Sequence, residues 1–217
     1  MVEDLLKRYK LKLEYILCTH HHFDHTGGNM ALKEGTGCEV LGPEDKRITG
    51  LDRAVREGDK IYFGAVAFDV LSVPGHTITH IVYYSADEGI LFSGDCLFEA
   101  GCGRIFEGTP EQMWGSLCRL RSLPGGTKIF PGHEYTLENL EFAASLEPEN
   151  RAVQVRLESV RKMRKKNIPT VPALISEERV SNPFFRADDP LLGKAIGMES
   201  NTEIEIFAAV RKMKDRY

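Results

Sequence analysis

The chain has 217 residues, enough to bury a full core in one large or two small domains, and its formal net charge of −4 gives no basic surplus for a nucleic-acid partner. No apolar stretch approaches the length of a membrane span and no charged-then-apolar signal segment opens the sequence, so no membrane association is expected. The five cysteines are odd in number and form no CxxC pair, which fits reduced thiols in a cytoplasmic protein rather than a disulfide framework.

In chain order, residues 2–10 carry Leu5, Leu6 and Tyr9 at helical spacing, a short amphipathic helix. Strand-like runs follow at Tyr15–Thr19, Glu39–Leu41, Lys60–Phe63, Val66–Val73, Ile81–Tyr84, Ile90–Ser93 and Lys128–Phe130. Tight turns are expected at Gly64-Ala65 and Asp87-Glu88-Gly89. Asn29–Glu34 and Pro110–Leu123 read as interspersed helices, the second with proline at an early helical position. After Tyr135 the strand signals nearly stop. Helices are expected at Thr136–Leu146, at Glu149–Lys166 with Val153, Leu157, Val160 and Met163 on one face, and at Glu203–Lys214 behind a Thr202–Glu205 capping box. The pattern is a layered α/β domain, residues 1–135, followed by an α-helical domain, residues 136–217. The basic run Arg161–Lys166 closes a helix, where cations suit the macrodipole, and reads as a solvated helix end.

The chemistry concentrates at strand ends. His20-His21-His22-Phe23-Asp24-His25 follows the first apolar run. Residues i and i+2 of an extended segment point the same way, so His20 and His22 can grip one cation, while Asp24 and His25 lie further on for a second. Pro74-Gly75-His76-Thr77, Ser93-Gly94-Asp95-Cys96 and Pro131-Gly132-His133-Glu134 each place one further ligand type directly after a strand, beside a glycine. Imidazole with carboxylate suits zinc, iron or manganese. His80 reads as a histidine behind the ligands, and Cys96 and Cys102 as small buried thiols.

The motif Thr19–His25 with His76, Asp95 and His133 resembles the metallo-β-lactamase superfamily. Within it, Gly101–Gly108, Pro131–Thr136 and Asn182–Arg186 resemble glyoxalase II, the hydroxyacylglutathione hydrolases, and the likeness runs from about Leu13 to the C-terminal residues. That resemblance implies an αββα sandwich with an appended C-terminal helical domain. It also implies two divalent ions per chain, zinc foremost, with His20, His22 and His76 on the first, Asp24, His25 and His133 on the second, and Asp95 bridging them. Asp24 and Asp95 are then the catalytic carboxylates, and Arg104, Phe106, Tyr135, Arg211 and Lys214 match positions that bind the glutathione part of the substrate. The family often has tyrosine where this chain has Phe106, so a hydroxyl contact is missing. The family's first strands, ahead of the segment opening at Met1, have no counterpart here, so an N-terminally short chain is expected.

The activity implied is hydrolysis of S-D-lactoylglutathione, a small-molecule thioester, to D-lactate and glutathione in methylglyoxal detoxification, by a protein expected to be monomeric. The rival readings are a glutathione-persulfide dioxygenase with one iron, a non-catalytic truncated paralogue, and, more distantly, an RNA-processing enzyme of the superfamily. No G-x-S-x-G elbow is present, so no covalent acyl-enzyme is expected.

Overall fold

The computed structural model describes residues 2–217; Met1, where the first expected domain begins, lies outside them. Helix α1 (Val2–Tyr9) leads to strand β1 (Tyr15–Leu17), the one-turn helix α2 (Phe23–Thr26), α3 (Asn29–Thr36), β2 (Glu39–Gly42) and β3 (Arg53–Ala54). Strands β4 (Lys60–Phe63), β5 (Val66–Ser72), β6 (Ile81–Ser85) and β7 (Ile90–Gly94) then form a meander. The two-residue strands β8 (Leu97–Phe98) and β9 (Gly101–Cys102) precede helix α4 (Pro110–Arg121) and β10 (Lys128–Pro131). The remainder is α5 (Thr136–Leu146), α6 (Arg151–Lys165), β11 (Ala173–Leu174), α7 (Ile175–Ser181), a 3₁₀ turn at Pro183–Phe185, α8 (Pro190–Ala195) and α9 (Glu203–Lys214).

Two sheets carry the fold. One is parallel, in the order β1-β2-β3; the other has six strands in the order β11-β10-β7-β6-β5-β4. Side-chain alternation along β6 decides the layers. Ile81 and Tyr83 join Leu41 and Val55 of the first sheet's side, together with Ile61 and Val70, so the sheets pack face to face. Val82 and Tyr84 point the other way, into a cluster with Met113, Leu117 and Leu120 of α4. Behind the first sheet, Cys18 and Val40 pack with Ile48, and Asn29 at the start of α3 donates to Cys18. These layers make an αββα sandwich, as expected. A fully buried Leu, Ile or Phe in such a core contributes roughly 1.5–3 kcal/mol.

The helical C-terminal segment packs on α4. Phe207 of α9 lies 5.9 Å from Trp114, and Ile206 and Val210 enter the same cluster. Thr202 and Glu205 form the expected capping box, and Thr109 and Gln112 form another at α4. Several short elements carry no readable period: β3, β8, β9 and β11 are two residues each, and α7 and α8 follow the Pro-rich stretch at 168–172. Helix α1 is present, with none of its side chains buried.

Candidate metal centre

Strands β5 and β7 are each antiparallel to β6, and β10 is parallel to β7, so these three point the same way. Their carboxyl ends release His76, Asp95 and His133 side by side, and β1 of the facing sheet releases the His20–His25 loop toward them. Close packing of these turns leaves no room for a Cβ at two glycines. One at Gly132 would run into Asp95 Oδ1 and the His25 ring, and one at Gly94, which sits at φ 51°, would run into Thr19 and His80.

His20 Nε2 lies 3.1 Å from His22 Nδ1, and His76 Nε2 lies 3.0 Å from that same Nδ1. His76 Nδ1 meets the Arg104 carbonyl at 2.8 Å, which assigns its proton to Nδ1 and leaves the Nε2 lone pair facing inward. One proton on His22 cannot serve two nitrogens at once, whereas one cation accepts all three lone pairs. On the other side, His25 Nε2 and His133 Nε2 stand 3.1 Å apart, and Asp24 Oδ2 reaches His133 at 3.1 Å and His25 at 3.5 Å.

Asp95 spans the two groups. Its Oδ1 is 3.3 Å from His25, and its Oδ2 is 3.7 Å from His76 and 3.6 Å from His133. Oδ1 is buried with no hydrogen-bond partner, a costly state for a carboxylate oxygen unless a cation sits against it. The ligand atoms fall into three mutually close groups: His20, His22 and His76; His20, His25 and Asp95; and Asp24, His25 and His133. The donor set and the orphaned oxygen fit a pair of divalent ions.

Electrostatics favour ligation too. Burial and the neighbouring imidazoles hold His20 far below the usual histidine range, and burial lowers His76, so both offer neutral nitrogens. Burial also acts to lower His25, but the Asp95 and Asp24 carboxylates beside it outweigh burial and raise its pKa. Burial works to raise Asp95, yet His25, His76 and His133 hold it below the usual carboxylate range. His80 is fully buried and pushed down to about 3 by burial and by His76. It stacks on His20 at 4.8 Å and accepts the Asp95 amide at 3.1 Å, so it stands behind the ligands as expected. Cys96 and Cys102 are buried thiols, with Cys102 pushed up to about 11 by burial.

A cavity of about 610 Å³ is lined by the candidate ligands His22, Asp24, His76, Asp95 and His133 and by Arg211 and Lys214. All five expected substrate contacts line it, but they are not equally free. Phe106 is 63% exposed and sets its edge against His22 and His76 at 5.4 and 5.3 Å. Tyr135 stacks on His133 at 5.1 Å, and Arg104 is exposed, 3.5 Å from Asp215. Lys214 Nζ meets Glu138 at 2.7 Å. Arg211 is buried and committed to the protein: it donates to the Cys102 carbonyl at 2.8 Å, pairs with Asp215 at 3.0 Å and lies over the Phe184 ring. Phe98, Glu138 and Asn139 also line the cavity. Sequence reasoning missed them because they stand outside the ligand motifs, in β8 and at the start of α5.

Residues 134–217 match the family model described as hydroxyacylglutathione hydrolase C-terminus, and residues 4–133 match that of the metallo-beta-lactamase superfamily. The chain is 47% identical over 207 residues to a hydroxyacylglutathione hydrolase of Rhodospirillum rubrum, covering 94% of this chain and 81% of that one. It is 43% identical to a hydroxyacylglutathione hydrolase of Rhizobium meliloti over 99% of this chain and 84% of the relative. Among solved structures, ETHE1 from Myxococcus xanthus shares 26% identity at a TM-score of 0.66, covering 97% of this chain and 73% of that one. The di-iron-bound form of TTHA1623 shares 25% identity at a TM-score of 0.61, covering 84% and 83%.

Proposed function

Because the chain belongs to the hydroxyacylglutathione hydrolase family of the metallo-β-lactamase superfamily, we propose that its cavity binds S-(2-hydroxyacyl)glutathione and that its metal centre hydrolyses the thioester to a 2-hydroxy acid, such as D-lactate, and glutathione. Relatives named for that thiolester hydrolysis cover nearly the whole chain. The observation that carries the reading is a single cavity lined both by the candidate metal ligands and by the cationic Arg211 and Lys214. A glutathione thioester carries matching groups, a reactive carbonyl for the metal centre and peptide carboxylates, away from that carbonyl, for the cations.

We assign His20, His22 and His76 to one ion and Asp24, His25 and His133 to the other, with Asp95 shared. Ions held there would supply a water acidified to a pKa of roughly 7 and a Lewis acid for the thioester carbonyl. The protein's own residues do the rest. Asp95 fixes the spacing of the two ligand groups, and Asp24, whose side chain is 59% exposed beside His133, faces the cavity where a proton leaves the attacking water. Tyr135, Arg104 and Lys214 orient the peptide, and Phe106 offers an apolar edge beside His22. The leaving thiol, with a pKa near 8.5, needs no dedicated general acid. Zinc suits this set, and iron is the metal in the di-iron-bound relative.

We assign the cavity wall to two parts, residues 1–135 supplying the metal ligands and 136–217 the carboxylate-binding end. No helix among the described residues is long and apolar enough to cross a membrane, and a monomer in the cytoplasm completes the proposal. Incubating metal-replete protein with S-D-lactoylglutathione and following thioester loss tests it. Hydrolysis is expected; oxygen consumption with glutathione persulfide and a single bound iron would favour the dioxygenase reading instead.

A further inference from the structure

His21, set between two ligands, points away from the metal centre toward a network that no ligand motif contains. Its Nδ1 lies 3.6 Å from Asp45 Oδ2 and its Nε2 3.7 Å from Glu107 Oε1. Asp45 is nearly buried and takes Arg47 Nη2 at 2.7 Å, Arg47 Nε at 2.9 Å and the Thr79 hydroxyl at 2.9 Å. Arg47 turns its other nitrogen to Glu107, which also accepts the Ile78 amide at 3.0 Å. Four loops meet here: His20–His25, the turn after β2, the segment following His76, and the segment 103–109 that carries Arg104 and Phe106 along the cavity wall.

We propose that Asp45, Arg47 and Glu107 form a positioning clasp that presets the His20–His22–His76 group by locking the His76–His80 segment and the 103–109 loop against the His21 side of the first loop. An isolated surface ion pair contributes almost nothing. This one differs in that a buried carboxylate receives several donors from its own turn and one from the His76–His80 segment, and in that Thr79 and Ile78 hang on the cluster just beyond His76. The Arg47 hydrogen bond keeps Asp45 well below the usual carboxylate range, and the same arginine lowers Glu107, so all three members stay charged at neutral pH. A preset ligand group binds its ion more tightly because the loops need no ordering on binding. Asp45, Arg47 and Glu107 are neither among the candidate ligands nor in the cavity lining and act through His76 and its neighbours.

The inference rests on the metal-centre reading, and the test separates the two. Metal-free protein is titrated with zinc against a chromophoric chelator to obtain the two dissociation constants, for the parent, Arg47→Ala, Arg47→Lys and Glu107→Gln. Arg47 and Glu107 are partly exposed, so these variants should fold. Arg119→Ala, which breaks a comparable ion pair with Glu57 outside the four loops, is the control, and thermal unfolding of the metal-free forms is recorded beside it. One of the two sites should weaken by about 10–100-fold in Arg47→Ala and Glu107→Gln, with Arg47→Lys in between and Arg119→Ala unchanged. Unchanged zinc affinities with only a lower melting temperature overturn the clasp, as does an equal loss at both sites or in the control. A parent that takes up no zinc overturns the metal centre itself.

Discussion

Asp95 Oδ1 lies 3.3 Å from His25 Nε2 yet is buried without a hydrogen-bond partner, while Oδ2 of the same carboxylate reaches the His76 side at 3.7 Å. A side chain so placed joins the two ligand groups, so its loss should remove more than one contact. Asp95→Ala is expected to lower turnover by several orders of magnitude and to leave fewer than two ions bound. Retention of a tenth or more of the parent's activity would make Asp95 an ordinary loop aspartate.

Gly132 tests the closeness of the same turns. An added methyl meets Asp95 Oδ1 and the His25 ring, both ligands in the proposed centre. Gly132→Ala should weaken metal binding by at least about tenfold while the far-ultraviolet circular dichroism stays that of the parent. Tight binding of two ions by the variant would show that the turn has slack.

Arg211 and Lys214 should separate, although three-residue spacing on one helix makes them read as a pair. Lys214→Ala removes a charge-assisted contact worth about 1.5–3 kcal/mol, so the Michaelis constant for a glutathione thioester should rise about tenfold or more with a smaller effect on turnover. A short thioester lacking the peptide carboxylates should be handled as by the parent. Arg211→Ala should in addition lower the melting temperature, because it leaves the buried Cys102 carbonyl without its donor. Identical behaviour of the two variants would contradict this division.

Glu99 supplies a pH test at a group outside the candidate ligand set. Its carboxyl is fully buried with only the long Thr136 hydroxyl contact at 3.4 Å from a side chain, while Glu178 beside it takes the stronger donors: the Arg156 guanidinium at 2.6 Å, the Ala100 amide at 2.7 Å and the Asn182 amide at 2.8 Å. Burial and the Glu178 charge push Glu99 up to about 8 from an ordinary 4.5. Between those values the folded chain holds a proton that the unfolded chain has released, so this group's stabilisation is complete below the lower value and is lost as pH rises through the upper one. Glu99→Gln should flatten that decline and leave the variant more stable than the parent at about pH 8, by thermal unfolding. Parallel stability curves for the two proteins would place the proton elsewhere.

The candidate ligands were legible in the sequence because His76, Asp95 and His133 each follow a strand and sit beside a glycine, and His20–His25 is a dense cluster after the first apolar run, local patterns that survive without knowledge of the fold. The strands of the meander were legible within a residue or two for the same reason, since their apolar runs are bounded by turns. The two-residue strands Leu97–Phe98 and Gly101–Cys102 were not, because nothing periodic fits in two residues. The commitment of Arg211 to Cys102 depends on residues 109 positions apart, and Arg47 meets Glu107 across 60. Those contacts are set by how the loops stack on the sheets, and ordinary charged residues carry no mark of it.

The most direct measurement is a titration of metal-free protein with zinc while hydrolysis of S-D-lactoylglutathione is followed in the same samples. Activity should rise with occupancy and level off at two equivalents per chain. Full activity at one equivalent, or two bound ions with no cleavage of the thioester, would contradict a binuclear glutathione thioester hydrolase.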